Sequence, residues 1–156
     1  MAESRLSEPI IPGQGDRMAG PSRTTVFVYG SLKRDQPNHH WLAGATWLGQ
    51  AQLEGVQLFD LGPFPMAVLH AGGGSSPGSK ALQGELYRVN GQTLERLDRL
   101  EGHPRLFERH WLRLHEGRCA WVYLGRPAQV RHAPLIVHGH WSGPRHPRWL
   151  RSESLR

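Results

Sequence analysis

The stretch that most constrains this chain is residues 26–40, VFVYGSLKRDQPNHH. Val26, Phe27, Val28 and Tyr29 form an unbroken run of β-branched and aromatic residues, the composition of a buried strand. The run stops abruptly at Gly30-Ser31. Glycine adopts backbone angles closed to other residues and lets a neighbouring group come close to the main chain. A buried strand that opens into a Gly-Ser turn leaves backbone N–H groups without ladder partners. Such a turn can hold an anion or a carbonyl oxygen. The same residues also read as an ordinary turn, since short Gly-Ser turns are common in β proteins.

The rest of the chain is built to match a strand of this kind. It carries 19 glycines and 12 prolines in 156 residues, which favours short strands and many turns over long helices. Residues 38–44 suggest a short helical turn, with Trp41 and Leu42 facing inward and Gly44 ending it. Residues 45–60 alternate loosely and read as one long bent strand or two short ones. Gly62-Pro63-Phe64-Pro65 is a stiff loop, since both prolines fix φ and lack a donor. Residues 66–70 resume as a strand, 71–79 read as a plain hairpin loop, and 81–89 form another strand. Leu94, Leu97 and Leu100 recur every three residues, so the spacing predicts a helix over 93–100, capped by Asn90 or Thr93 and ended by Gly102 and Pro104. Residues 107–114 and 119–124 pair around Glu116-Gly117, and 135–141 suggest an edge strand. No strand–helix unit repeats, which argues against a doubly wound parallel sheet. The expected fold is α+β: a small mixed β-barrel or strongly curved sheet flanked by one or two α-helices.

The length suits one domain with a full core. Residues 1–23 read as a disordered extension, 24–125 as the domain, and 126–156 as an Arg/His/Pro-rich segment partly packed on it. Cys119 is the single cysteine, so no internal disulfide can form; a reducing compartment fits, and Cys119 is expected to pack rather than react. No apolar run reaches the roughly 18 residues that a membrane span needs, and residues 1–22 lack the apolar core of a signal peptide. A cytoplasmic monomer without membrane contact is expected.

The net charge of +6 favours anionic partners. Much of it lies late, where Arg126, Arg131, Arg145, Arg148, Arg151 and Arg156 face only Glu153. A nucleic-acid-binding module is the rival class this raises. Its aromatic residues are not interleaved with basic ones as an RNA surface requires, which counts against it.

Three groups of residues invite chemistry. Glu101 follows the stripe residue Leu100 at the carboxyl end of the helix, where the macrodipole disfavours negative charge. The dipole and burial would both raise its pKa, which suits proton transfer near neutrality. A solvated Glu101 paired with Arg99 or Arg105 is the plainer alternative. His39-His40 and His138-x-His140 suggest a metal, but no cysteine partner or His-Glu-x-x-His spacing accompanies them. Ser31 lacks the Gly-x-Ser-x-Gly elbow of a hydrolase nucleophile.

Taken together, the Gly-Ser turn and the helix-end glutamate resemble the gamma-glutamylcyclotransferase-like family, most closely its gamma-glutamylamine cyclotransferase branch. The resemblance rests on VFVYGSLKRDQPNHHWL at 26–42, PFPMAV at 63–68, LQGELYRV at 82–89 and LDRLEGHPRLFERHWLRL at 97–114. Asp35 stands where the family motif usually has glycine. The resemblance implies a compact β-barrel flanked by helices, with Tyr29, Gly30, Ser31 and Leu32 binding a small-molecule gamma-glutamyl substrate. It implies that Glu101 is the catalytic glutamate and that no metal or cofactor is needed. Phe64, Tyr87 and Tyr123 are candidates to line the pocket.

Overall fold

The computed structural model describes residues 23–70 and 80–144. The expectation of disorder at the amino end, and four of the late arginines, lie outside these residues.

A five-stranded mixed sheet has the order β2-β5-β1-β7-β6. Its strands are β1 (Arg23–Val28), β2 (Thr46–Leu53), β5 (Leu82–Asn90), β6 (Glu108–Arg113) and β7 (Cys119–Leu124). A separate hairpin joins β3 (Val56–Asp60) to β4 (Pro65–Leu69). β1 is central, antiparallel to β5 and parallel to β7. This position explains its composition, because a central strand is covered on both faces. Val26 and Val28 pack on one side with Leu97 of the helix. Phe27 and Tyr29 pack on the other with Leu53, Leu58 and Leu86.

Residues 45–60 form two strands in different sheets. The irregularity between Trp47 and Gly49 bends the first of them. The β6–β7 pair turns around Glu116-Gly117 as the sequence indicates. Strand pairing ends at β2 and β6 and does not show the expected closed barrel, although just past β6 His115 N–H donates to Gln52 O of β2 at 2.8 Å.

The single α-helix among the described residues, α1 (Gly91–Leu100), begins two residues before the predicted start. Asn90 is its cap: the backbone is extended there, and its side chain accepts from the Thr93 N–H at 2.8 Å. Leu97 is the fully buried member of the leucine stripe. None of the helices among the described residues is long and apolar enough to cross a membrane.

Two local expectations fail for identifiable reasons. The turn His39–Leu42 is a 3-10 helix in which Leu42 is buried but Trp41 is 36% exposed. Adjacent residues of so tight a helix cannot both face inward. The hairpin loop expected at 71–79 lies outside the described residues; the strands on either side of it, β4 and β5, do not pair with each other. Residues 135–141 make one isolated bridge, Phe59 to Leu135, rather than a strand. Their backbone bonds are divided between partners. Ile136 N–H donates to Leu58 O, while Val137 O and Gly139 O accept from Lys80 and Gln83. The segment nevertheless packs closely: Trp141 is 2% exposed within the core.

Candidate active site

Where β1 ends, the chain makes a compact turn held by its own backbone. Lys33 N–H donates to Gly30 O at 3.0 Å, and Asn38 N–H donates to Ser31 O at 2.9 Å. The Asn38 amide also donates to Ser31 Oγ at 2.9 Å. Among the described residues, no acceptor takes the N–H groups of Gly30, Ser31 or Leu32. Glycine is required at position 30 by a close approach: an added Cβ would lie 2.7 Å from Cγ of Pro65. Pro65, the first residue of β4, therefore packs directly on this turn.

Buried polar groups fix the turn from behind. The Glu85 carboxylate accepts from Arg34 N–H at 2.9 Å and from the Tyr87 hydroxyl at 3.0 Å. The Lys33 ammonium donates to Trp141 O at 2.7 Å, tying the turn to the carboxyl-terminal segment. Burial lowers the Lys33 pKa. Asp35 has φ 69°, a left-handed conformation that explains why glycine suits this place in the motif.

Glu101 approaches from another element. It is the C-cap of α1, and Gly102, with φ +67°, turns the chain away immediately after it. The return is tight: Arg105 and Leu106 N–H both donate to Gly102 O, and Phe107 N–H donates to Glu101 O. Neither Arg99 nor Arg105 pairs with the Glu101 carboxylate, and no described residue donates a hydrogen bond to it. Burial raises its pKa from 4.5 to about 7. The helix-end dipole acts in the same direction.

These two features open on one cavity of about 280 Å³. Tyr29, Gly30, Ser31 and Leu32 form one wall, and Leu100 and Glu101 another. Phe64, Pro65, Phe107 and Tyr123 are among the residues that complete it. Of the proposed lining residues, Phe64 and Tyr123 are therefore at the cavity and Tyr87 is not. Tyr87 packs against Trp47 and His39, with its hydroxyl on Glu85.

The tyrosines at the cavity are committed by their hydroxyls. Tyr29 donates to Tyr123 O at 2.6 Å and accepts from Ala67 N–H at 3.0 Å. It thus joins β1, β4 and β7 at one point. Tyr123 donates to Asp98 Oδ1 at 2.7 Å. Both hydroxyls have raised pKa values, chiefly through burial, and the Glu101 charge adds to the effect in each. Sequence reasoning missed Asp98, Asn38 and Glu85. Each acts through a contact distant in sequence or hidden in a turn. The Asn38 pairing alone had a local signal, since asparagine side chains commonly bond to nearby turn groups. Among the described residues, no three His, Cys, Asp or Glu side chains converge as a metal site would need.

Comparison with known proteins supplies the lineage. Residues 26–143 match the family model described as "Gamma-glutamyl cyclotransferase, AIG2-like". The Escherichia coli protein YtfP, named a gamma-glutamylcyclotransferase family protein, is 37% identical over 117 residues, covering 74% of this chain and 94% of that one. An AIG2-like protein from Mus musculus superposes with TM-score 0.65 and 25% identity, covering 81% of this chain and 97% of that chain. The Pyrococcus horikoshii protein PH0828 gives TM-score 0.60 and 25% identity, covering 85% and 96%. The match runs to residue 143 and so takes in Trp141, which packs in the core. The chain belongs to the gamma-glutamyl cyclotransferase, AIG2-like family.

Proposed function

We propose that the protein cyclises a gamma-glutamyl amide to 5-oxoproline and releases the free amine, with Glu101 moving the proton. The observation that carries this reading is a single cavity bordered by an unpaired, elevated carboxyl and by a turn with spare N–H donors. The family membership supports it.

The substrate contains its own nucleophile. Its α-amine can reach the γ-carbonyl and close a five-membered ring. Folding the substrate into that geometry supplies much of the rate, because oriented intramolecular attack avoids most of the entropic barrier. The amine is an ammonium in water and must first lose a proton. Glu101, as carboxylate, takes it. The nitrogen attacks the carbonyl carbon and an oxyanion forms. Backbone N–H groups at Gly30, Ser31 and Leu32 bind the substrate carboxylate or this oxyanion. The carbon–nitrogen bond to the leaving amine then breaks as the protonated Glu101 returns its proton to that amine; the carboxylate so regenerated takes the second proton from the ring nitrogen and passes it to the same amine, which leaves as an ammonium. A carboxyl poised near neutrality serves both halves of the transfer. Bonds and protons balance without a further reactant. Phe64 and Tyr123 form the apolar walls that exclude water from the ring-closing step.

The test is 5-oxoproline release from gamma-glutamyl-ε-lysine and from a gamma-glutamyl amino acid, with Glu101→Gln in parallel. Turnover of either by wild type and loss of at least about a hundredfold in the variant is expected. The preferred substrate identifies the branch. Folded wild-type protein that turns over neither compound would overturn the reading.

A further inference from the structure

The helix-end motif Leu-Asp-x-x-Glu-Gly contains a second carboxylate, Asp98, for which the proposed mechanism has no use. Asp98 lies one helical turn before Glu101, so the two share a helix face. It does not share the same surroundings. Asp98 Oδ1 accepts from the Tyr123 hydroxyl at 2.7 Å and from Arg109 Nε at 2.8 Å. Its side chain is 20% exposed and that of Arg109 is 21% exposed, so the pair is largely shielded from water. The Arg109 guanidinium also lies over the Trp121 ring, 4.2 Å from its centroid. The backbone of the same turn is fastened to these groups. His103 N–H donates to Asp98 O at 2.9 Å, and Arg109 N–H donates to His103 Nδ1 at 3.2 Å.

The arrangement matters because of what it withholds from Glu101. Tyr123 lines the cavity beside Glu101 and brings a hydroxyl donor with it. Arg109 is a partly buried cation joined to Tyr123 through Asp98, and a cation or donor next to a carboxylate stabilises its charged form. Both groups are instead engaged by Asp98. From other elements, Tyr29, just past β1, and Tyr123 on β7 bring hydroxyls to the same cavity, and the Glu101 charge acts on both. Tyr29 is committed to Tyr123 O and Ala67 N–H. On its own segment, Arg99 and Arg105 are exposed and unpaired with it, and His103 accepts from Arg109.

We propose that Asp98 is a positioning residue for Glu101: it holds the Tyr123 hydroxyl and the Arg109 guanidinium away from the cavity, leaving the Glu101 carboxyl without donor or counter-cation. The role rests on the proton-transfer reading of Glu101. It is tested by a titration that needs no turnover, so the failure of one is separable from the failure of the other.

The experiment follows the Glu101 side-chain carboxyl by carbon-13 NMR from pH 4 to 9 in full-length labelled protein, with Glu101→Gln assigning the signal. In Asp98→Ala the freed hydroxyl and guanidinium turn to Glu101. Its midpoint should fall by about one pH unit or more. Asp98→Ala/Tyr123→Phe should recover part of that fall. A midpoint in Asp98→Ala equal to that of wild type overturns the proposal, as does a double variant no closer to wild type than the single one. Should Asp98→Ala not fold, Tyr123→Phe alone decides. Its Glu101 midpoint stays in place if the hydroxyl belongs to Asp98. A rise would mean that the hydroxyl was already bonded to Glu101, and the proposal would fail. A merely structural role for Asp98 would lower stability without moving this titration.

Discussion

Replacing Glu101 by glutamine should make the protein more stable, and increasingly so as pH rises. Burial moves the Glu101 carboxyl from 4.5 to about 7. Below pH 4.5 the group is protonated whether the chain is folded or not and contributes nothing. As pH rises past 4.5 the unfolded chain ionises while the folded chain keeps its proton. Stability therefore falls from there to about pH 7, where the folded form ionises too, and the loss is complete above that. A displacement of this size corresponds to about 3 kcal/mol at pH 8. Glutamine has nearly the same shape and no charge, so it carries no such penalty. Urea unfolding of both proteins at pH 5, 6, 7 and 8 isolates the effect, since the other titrating groups cancel in the difference. The advantage of Glu101→Gln should grow from under about 1 kcal/mol at pH 5 to about 3 kcal/mol at pH 8. A difference independent of pH would refute the reasoning. So would a variant less stable than wild type at pH 8, because that would mean the carboxylate has a stabilising partner.

Other perturbations follow from the turn and its supports. Gly30→Ala places a methyl group 2.7 and 2.9 Å from the Pro65 ring carbons, which cannot swing away. It should cost about 1–3 kcal/mol in urea unfolding and raise KM, as the turn shifts. Tyr29→Phe leaves the Tyr123 carbonyl and the Ala67 N–H without their buried partner. A loss of roughly 2–4 kcal/mol in thermal unfolding is expected, and a loss below about 1 kcal/mol would contradict the bridging role. At Asp35, with φ 69°, alanine should destabilise by about 1 kcal/mol while glycine should not. Equal effects of the two substitutions would show that the backbone angle is not what matters there.

The parts of this fold legible in the sequence are those with a local cause. The unbroken apolar run before Gly30 belongs to the central strand, and its composition follows from having both faces covered. The leucine stripe, the Asn90 cap and the stop at Gly102 are helix signals within one short segment, and the helix has them. Glu101 could be singled out because a carboxylate at a helix carboxyl end conflicts with the dipole. What the sequence could not convey was pairing at a distance. That β1 lies between β5 and β7, and that β4 leaves β5 to pair with β3, depends on tertiary packing that no local pattern encodes. Tyr87 and Tyr123 look alike in sequence, each an aromatic residue in a strand. Only their places across the sheet put one at the cavity and the other against Trp47. Residues 135–141 have strand composition but divide their hydrogen bonds between two partners, so composition misled. Asp98 was hidden for a similar reason: its partners lie 11 and 25 residues away.

The central claim is that Glu101 transfers the proton in a cyclisation carried out at this cavity. The pH dependence of kcat/KM for 5-oxoproline release, measured on the preferred gamma-glutamyl amide, tests it most directly. The account predicts an acid limb with its midpoint near 7, set by Glu101 in the free enzyme, and background turnover at every pH in Glu101→Gln. An acid limb near 4.5, or substantial turnover by the glutamine variant, would contradict it.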